Sequence, residues 1–168
     1  MRILVVGATG FIGAELLRQA RERNHEAVGT TRRRDVPGLW HYDLLQPVGG
    51  LPPQPRDVAF LCAGVADYRR CEGNAEAWRV NVDGNIAAGK SLMRAGAFVV
   101  YLSSVAAEWA GHSAYGRGKE AVELALQCIG DPAIIRCERV TPAKLTEVCE
   151  ILLGIGIAKV PGIYRIAP

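Results

Sequence analysis

The chain opens with the apolar run Ile3-Leu4-Val5-Val6, which leads straight into Gly7-Ala8-Thr9-Gly10-Phe11-Ile12-Gly13. A short, β-branched run of this kind suits a parallel strand buried on both faces. Past the glycines, Ile12, Leu16, Leu17 and Ala20 recur at helical spacing, with Arg18, Arg21, Glu22 and Arg23 between them. Strand, glycine turn and amphipathic helix, in that order, form the setting in which a glycine loop holds a phosphate. In that setting Gly7 permits the tight turn, Gly10 admits a pyrophosphate to the backbone, and Gly13 lets the helix pack closely on the strand. The helix start adds free N–H groups and a partial positive charge, so Thr9, Phe11 and Ile12 join the expected cradle. The competing reading is a glycine-rich turn with no ligand.

The next strand candidate, Glu26 to Thr30, ends in Thr31-Arg32-Arg33-Arg34. A carboxylate near this point holds the ribose 2′-hydroxyl in NAD-specific proteins. Arginines stand there instead, and a guanidinium matches phosphate oxygens bidentately. Arg32 and Arg33 therefore predict NADP over NAD, with a solvated basic turn as the alternative.

The remaining chain alternates. Strands are expected at Leu39–Tyr42, Asp57–Cys62, Ala97–Leu102, Pro132–Arg136 and Gly162–Ile166, and helices at Asn74–Arg94, Ser113–Cys128 and Thr141–Leu153. The segment Gln46 to Arg56, with four prolines and two glycines, reads as a surface connection. Alternation implies parallel strands joined by right-handed crossovers, hence a doubly wound, three-layer α/β/α sheet. A length of 168 residues fits one such domain, 1–168. Ligands in these sheets bind beyond the carboxyl ends of the strands. The glycine loop, Arg32, Asp43, Ala63-Gly64 and Ser103-Ser104 all fall at such ends, which predicts a single site.

Composition excludes several classes. The net charge of +3 is slight and sits largely at Arg32 to Arg34, which argues against a nucleic-acid surface. No apolar run is long enough for a membrane span or a signal peptide. The five cysteines are odd in number and form no C-x-x-C pair, so neither a metal site nor a disulfide framework is expected. A reducing, cytoplasmic setting fits them.

Tyr115 and Lys119 lie four apart in a helical segment and share a face. A phenol with pKa near 10 is a poor acid or base at neutral pH. A neighbouring ammonium is expected to pull that value down. Ser104, at a strand end, is placed to donate to a carbonyl oxygen. A chance surface pair is the alternative for Tyr115 and Lys119.

These residues resemble the short-chain dehydrogenase/reductases, in their extended branch of sugar-nucleotide epimerases, dehydratases and 4-keto reductases. Gly7 to Gly13 is similar to the branch's phosphate loop, Asp43-Leu44 to its adenine-contacting pair, and Val80 to Asn85 to its V-N-V-x-G-T segment. Leu102-Ser103-Ser104 and Tyr115 to Lys119 resemble its catalytic serine and Tyr/Lys pair, with the hydroxyl last in the serine pair. Ile134-Ile135-Arg136 and Gly162 to Ala167 are similar to its last strands. The resemblance implies a Rossmann fold, catalytic Ser104, Tyr115 and Lys119, and NADP held by the loop, Arg32, Arg33, Asp43, Leu44, Ala63, Gly64 and Lys119. It further implies a homodimer through the helices near 74–94 and 113–128. Two departures stand out. Cys137 to Pro161 replaces the usual substrate lobe with little more than one helix, and the interval from Ser104 to Tyr115 is short.

The expectation is an NADP-dependent oxidoreductase acting on a carbonyl or nucleotide-sugar substrate. A non-catalytic NADP-binding sensor is the alternative from another class, and an NAD-recycling epimerase or dehydratase is a third. Packing over the site competes with stacking on a base or sugar for Trp109, and a loop role competes with substrate contact for His112. Solvated charge competes with meeting an anionic substrate for Arg69 and Arg70, and a helix-positioning role competes with a proton relay for Asn81.

Overall fold

The computed structural model describes residues 1–46, 50–52 and 56–167. Seven strands form one parallel sheet in the order β3-β2-β1-β4-β5-β6-β7. They are β1 (Arg2–Val6), β2 (Glu26–Thr31), β3 (Leu39–His41), β4 (Val58–Leu61), β5 (Phe98–Ser104), β6 (Ala133–Cys137) and β7 (Gly162–Ile166). Strand order reverses between β1 and β4, which opens a crevice at their carboxyl ends. The central strands β1 and β4 are buried almost throughout, as their unbroken apolar runs require.

Each face of the sheet carries its own core. Helices α1 (Phe11–Glu22) and α6 (Leu145–Ala158) cover one, where Ile3, Val5, Phe60, Val100 and Ile135 meet Leu16, Leu17, Val148 and Leu152. Helices α4 (Asn85–Arg94) and α5 (Ala114–Gln127) cover the other, where Leu4, Val6, Leu61, Val99 and Tyr101 meet Ala88, Leu92, Val122 and Leu126. The layers are thus α/β/α, as alternation predicts. Buried Cys137 and Cys149 belong to the first core, whereas Cys128 is exposed.

The structure departs from the sequence reading in local elements. Two short helices, α2 (Tyr68–Cys71) and α3 (Ala75–Trp78), precede α4. Asp67 caps α2 by accepting from the N–H groups of Arg69 and Arg70, and Asn74 caps α3. Four-residue helices are too short to leave a periodic signal. Between α3 and α4 the backbone widens into a π-helical turn, Arg79–Gly84. The short interval after Ser104 coils into 3₁₀ turns over Val105–His112. Helix α6 starts later than Thr141 and runs on to Ala158, ending at Lys159 in the left-handed region. The proline-rich connection lies largely outside the described residues.

Close packing on the α6 side depends on Gly156. A Cβ there would lie 2.6 Å from the Phe60 ring, which is itself buried in β4. Gly156→Ala is therefore expected to destabilise the fold by about 1–3 kcal/mol, the usual range for overpacking, read as a lower urea midpoint at unchanged slope.

Candidate functional site

Loop and strand ends converge on one cleft with two continuous halves. The first, about 360 Å³, is lined by Gly7, Thr9, Gly10, Arg32, Asp43 and Leu44, with Ala63 and Gly64 across from them. The second, about 1010 Å³, is lined by Phe11, Ile12, Gly13, Ser104, Tyr115 and Lys119, among others. Gly10, Cys62 and Gly64 belong to both halves.

The glycine loop explains why the first half is open. Gly7 adopts φ +90°, and a Cβ on it would lie 2.8 Å from the Ala63 backbone, so the turn after β1 and the turn after β4 touch. A Cβ on Gly13 would lie 2.3 Å from the Gly7 carbonyl oxygen. Gly13 thus packs the helix against the turn rather than against the strand. Helix α1 has no side-chain cap at Gly10 and no acidic residue in its first turn. Its leading N–H groups and the positive end of its dipole accordingly face the cleft, which fits an anion.

Arg32 lines the first half of the cleft, but Arg33 lines neither half. The Arg33 N–H donates to Thr31 Oγ1 at 3.2 Å, which turns the backbone beyond β2. Asp43 and Leu44 lie in the same half, and Asp43 Oδ1 accepts from the Leu45 N–H at 2.9 Å.

Asn81 holds the opposite wall. Its Oδ1 accepts from the Val65 N–H at 2.7 Å, and its Nδ2 donates to the Val65 carbonyl at 2.9 Å. Both ends of the amide are therefore spent on positioning the loop after β4. Gly84, one turn on, admits Leu44, whose Cβ and carbonyl oxygen would lie 2.6 and 2.7 Å from a Cβ there. The π-helical turn so fixes both the Val65 loop and the Leu44 loop.

In the second half, β5 and α5 bring Ser104, Tyr115 and Lys119 together. The Lys119 Nζ donates to the Leu102 carbonyl at 2.7 Å and lies 4.8 Å from the centre of the Tyr101 ring and 5.6 Å from that of Tyr115. Burial pushes the Lys119 ammonium down to about 8, while Cys62, Glu123 and Cys71 act in the other direction. Tyr115 does not follow the sequence expectation. Burial, helped by Tyr68, pushes its phenol up to about 12, and the donating Ser104 hydroxyl only partly offsets this. The Lys119 ammonium is bound to the Leu102 carbonyl, and burial sets the direction in which the phenol moves.

The two serines face different groups. Ser103 donates to the buried Glu123 on α5, whereas Ser104 sits beside Tyr115 and accepts from the Ala106 N–H at 3.2 Å. Tyr68, which sequence reasoning missed, packs on Tyr115 with ring centres 4.8 Å apart. Glu72 accepts from the Ala114 N–H at 2.7 Å and pins α2 to the start of α5. Arg69 and Arg70 line the cleft, one in each half. Trp109 is 65 % exposed and, like His112, is not part of the lining. No group of three or more metal-binding side chains occurs among the described residues, and no described helix is long and apolar enough to cross a membrane.

A parallel sheet with its cleft at the strand-order reversal, an uncapped helix start on one side and Ser104, Tyr115 and Lys119 on the other, marks a doubly wound α/β domain. Residues 3–127 match the family described as the NAD dependent epimerase/dehydratase family, and the chain belongs to it. It is 30% identical over 139 residues to a ceramide reductase of Caulobacter vibrioides, a match that covers 79% of this chain and 44% of that protein. The chain spans less than half the length of the curated relatives it matches. Among solved structures, a dTDP-4-dehydrorhamnose reductase from Bacillus anthracis in complex with NADP superposes with a TM-score of 0.79 at 13% identity, covering 99% of this chain and 74% of that one. A serine dehydrogenase from Escherichia coli gives 0.80 at 19% identity, covering 100% and 98%. At these identities the structural likeness shows the fold.

Two outcomes follow from the geometry. Asn81→Ala leaves the Val65 N–H without its partner and the Val65 carbonyl with only the weaker Cys71 thiol at 3.4 Å, and should cost about 1–3 kcal/mol in thermal or urea unfolding. Lys119→Met should raise stability at neutral pH. A base whose folded pKa is lowered from 10.5 to about 8 binds fewer protons folded than unfolded between those values, so the wild-type penalty is full below about 8 and fades as pH rises. Urea midpoints of the two proteins measured across that range should therefore converge.

Proposed function

We propose that this chain carries the cofactor site and proton-transfer machinery of an NADP-dependent oxidoreductase acting on a carbonyl/alcohol pair. The observation that carries this reading is the cleft itself: Ser104, Tyr115 and Lys119 line the half that continues directly from the uncapped start of α1. The residues present fit a dinucleotide. Gly7 and Gly10 leave the backbone open, the first turn of α1 offers its N–H groups to phosphates, and Arg32 supplies a cation where a 2′-phosphate would lie.

Bound NADP supplies the hydride chemistry. The chain's own side chains manage the oxygen. Ser104 donates to the substrate carbonyl oxygen and orients it. Tyr115, raised to about 12, keeps its proton through neutral pH and gives it to that oxygen as negative charge develops. A phenol that holds its proton suits the reducing direction. Lys119, fixed by the Leu102 carbonyl, places a positive charge beside the phenol and so favours the phenolate left behind.

The relatives' printed activities support a reductase and leave the substrate open between a nucleotide sugar and a smaller carbonyl compound. The homodimer reading rests on the resemblance of the helices near 74–94 and 113–128 to a dimer-forming pair, and exposed Trp78 and Leu124 on α3 and α5 are in keeping with it.

Fluorescence titration tests the cofactor: NADPH should bind more tightly than NADH, and Arg32→Ala should erase the difference. Absence of binding by either nucleotide overturns the reading. Tyr115→Phe should abolish carbonyl-dependent NADPH oxidation, by at least about 10²-fold, while leaving NADPH affinity largely intact. Unchanged turnover in that variant would sink the proposed role of the phenol.

A further inference from the structure

Behind the Tyr115/Lys119 face lies a charged group that the proposed chemistry does not use. Glu123 follows Lys119 by four residues on α5 and so occupies the same helix face. It is 2 % exposed. Its oxygens are held from two strands. Ser103 on β5 donates to Oε1, and Arg136 on β6 donates from Nε to both oxygens at 3.2 Å and from Nη2 to Oε2 at 2.7 Å. The chain of charges runs on to the surface: Arg136 Nη1 lies 3.8 Å from Glu108, and Arg165 on β7 pairs with Glu108 at 3.3 Å and Glu138 at 3.0 Å.

A carboxylate buried this deeply needs compensation, because removing an isolated charge from water is costly. Arg136 supplies it, yet packing alone would be served equally well by an apolar side chain. The position of the pair is informative. Around the Lys119 ammonium stand Cys62 beyond β4, Tyr101 and the Leu102 carbonyl on β5, Cys71 on α2, and Tyr115 and Glu123 on α5. Both tyrosines and both cysteines have phenols or thiols held above their ordinary values by burial, so they are neutral at physiological pH. Glu123 is the one carboxylate among the groups acting on Lys119.

We propose that Glu123 is a positioning residue of this site: clamped by Ser103 and Arg136, it locks the Tyr115/Lys119 face of α5 onto β5 and β6 and supplies the counter-charge to the buried Lys119 ammonium. The inference rests on the reading of Lys119 as a site residue. It also gives the adjacent serines separate duties, Ser104 toward the reacting oxygen and Ser103 toward the carboxylate that stands behind the lysine.

The test reads the lysine directly. Competitive acetylation of the full chain across a pH series, followed by peptide mass spectrometry, gives the midpoint at which the Lys119 amine becomes reactive. Glu123→Gln changes the pair from neutral to positive and should lower that midpoint by about one pH unit or more. Arg136→Gln leaves a negative charge in place and should raise it. Opposite movements are the expected result, since a merely structural loss would shift both variants alike. An unmoved midpoint in Glu123→Gln, or the same direction in both variants, overturns the proposal. Should Glu123→Gln fail to fold, Arg136→Gln decides alone: a raised midpoint supports the counter-charge, and an unmoved or lowered one refutes it. No turnover is needed, so loss of the oxidoreductase reading would show separately, as absent carbonyl-dependent oxidation in a wild type whose variants still shift as expected.

Discussion

The contact between Gly13 and the Gly7 carbonyl oxygen sets the geometry on which everything else depends. With no side chain between them, α1 descends onto the turn that follows β1, and its first N–H groups are left facing outward. That same turn touches Ala63 after β4, so the two central strands end against one another. A crevice in a doubly wound sheet is a topological consequence, but its width here is set by Gly7, Gly13 and Ala63. The approach of backbone to backbone has no room for a methyl group, and no side chain stands between the loop and the cleft at these positions.

Across the crevice, the second half of the site is organised by a strand–helix pair. Leu102, Ser103 and Ser104 of β5 each meet α5 or the Tyr115 cluster: a carbonyl takes the Lys119 ammonium, one hydroxyl goes to Glu123, and the next goes to Tyr115. Alternation along a strand sends neighbouring side chains to opposite faces. Two consecutive serines can therefore serve different partners. Desolvation then sets the character of the groups, since burial raises the phenol and lowers the ammonium at the same place.

Legibility in the sequence followed the strength of the local pattern. The runs Ile3 to Val6 and Val58 to Leu61 are apolar without interruption and announce central strands, and the order of elements implies the layers. The glycine loop, Ser104, Tyr115 and Lys119 are readable because their chemistry is unusual at those positions. Tyr68 was not legible, because α2 is only four residues long and depends on Asp67 as a cap. Glu123 looks like any helical acid until the fold brings Ser103 and Arg136 to it from two strands. Arg32 and Arg33 are equivalent in composition, and only the backbone turn at Thr31 separates the one that lines the cleft from the one that does not. The lysine was expected to lower the phenol, but burial is a property of the packed chain, and no spacing along the sequence reports it.

The π-helical turn Arg79–Gly84 joins parts of the cleft that the sheet alone would keep separate. Asn81 grips the Val65 loop, and Gly84 receives the Leu44 loop. One of these loops borders both halves of the cleft and the other borders only the first. Because a single wide turn of helix braces both, a fluctuation that unwinds it slackens the two walls together. The two rims of the crevice thus share one support, and tightening one wall around a ligand would also steady the other.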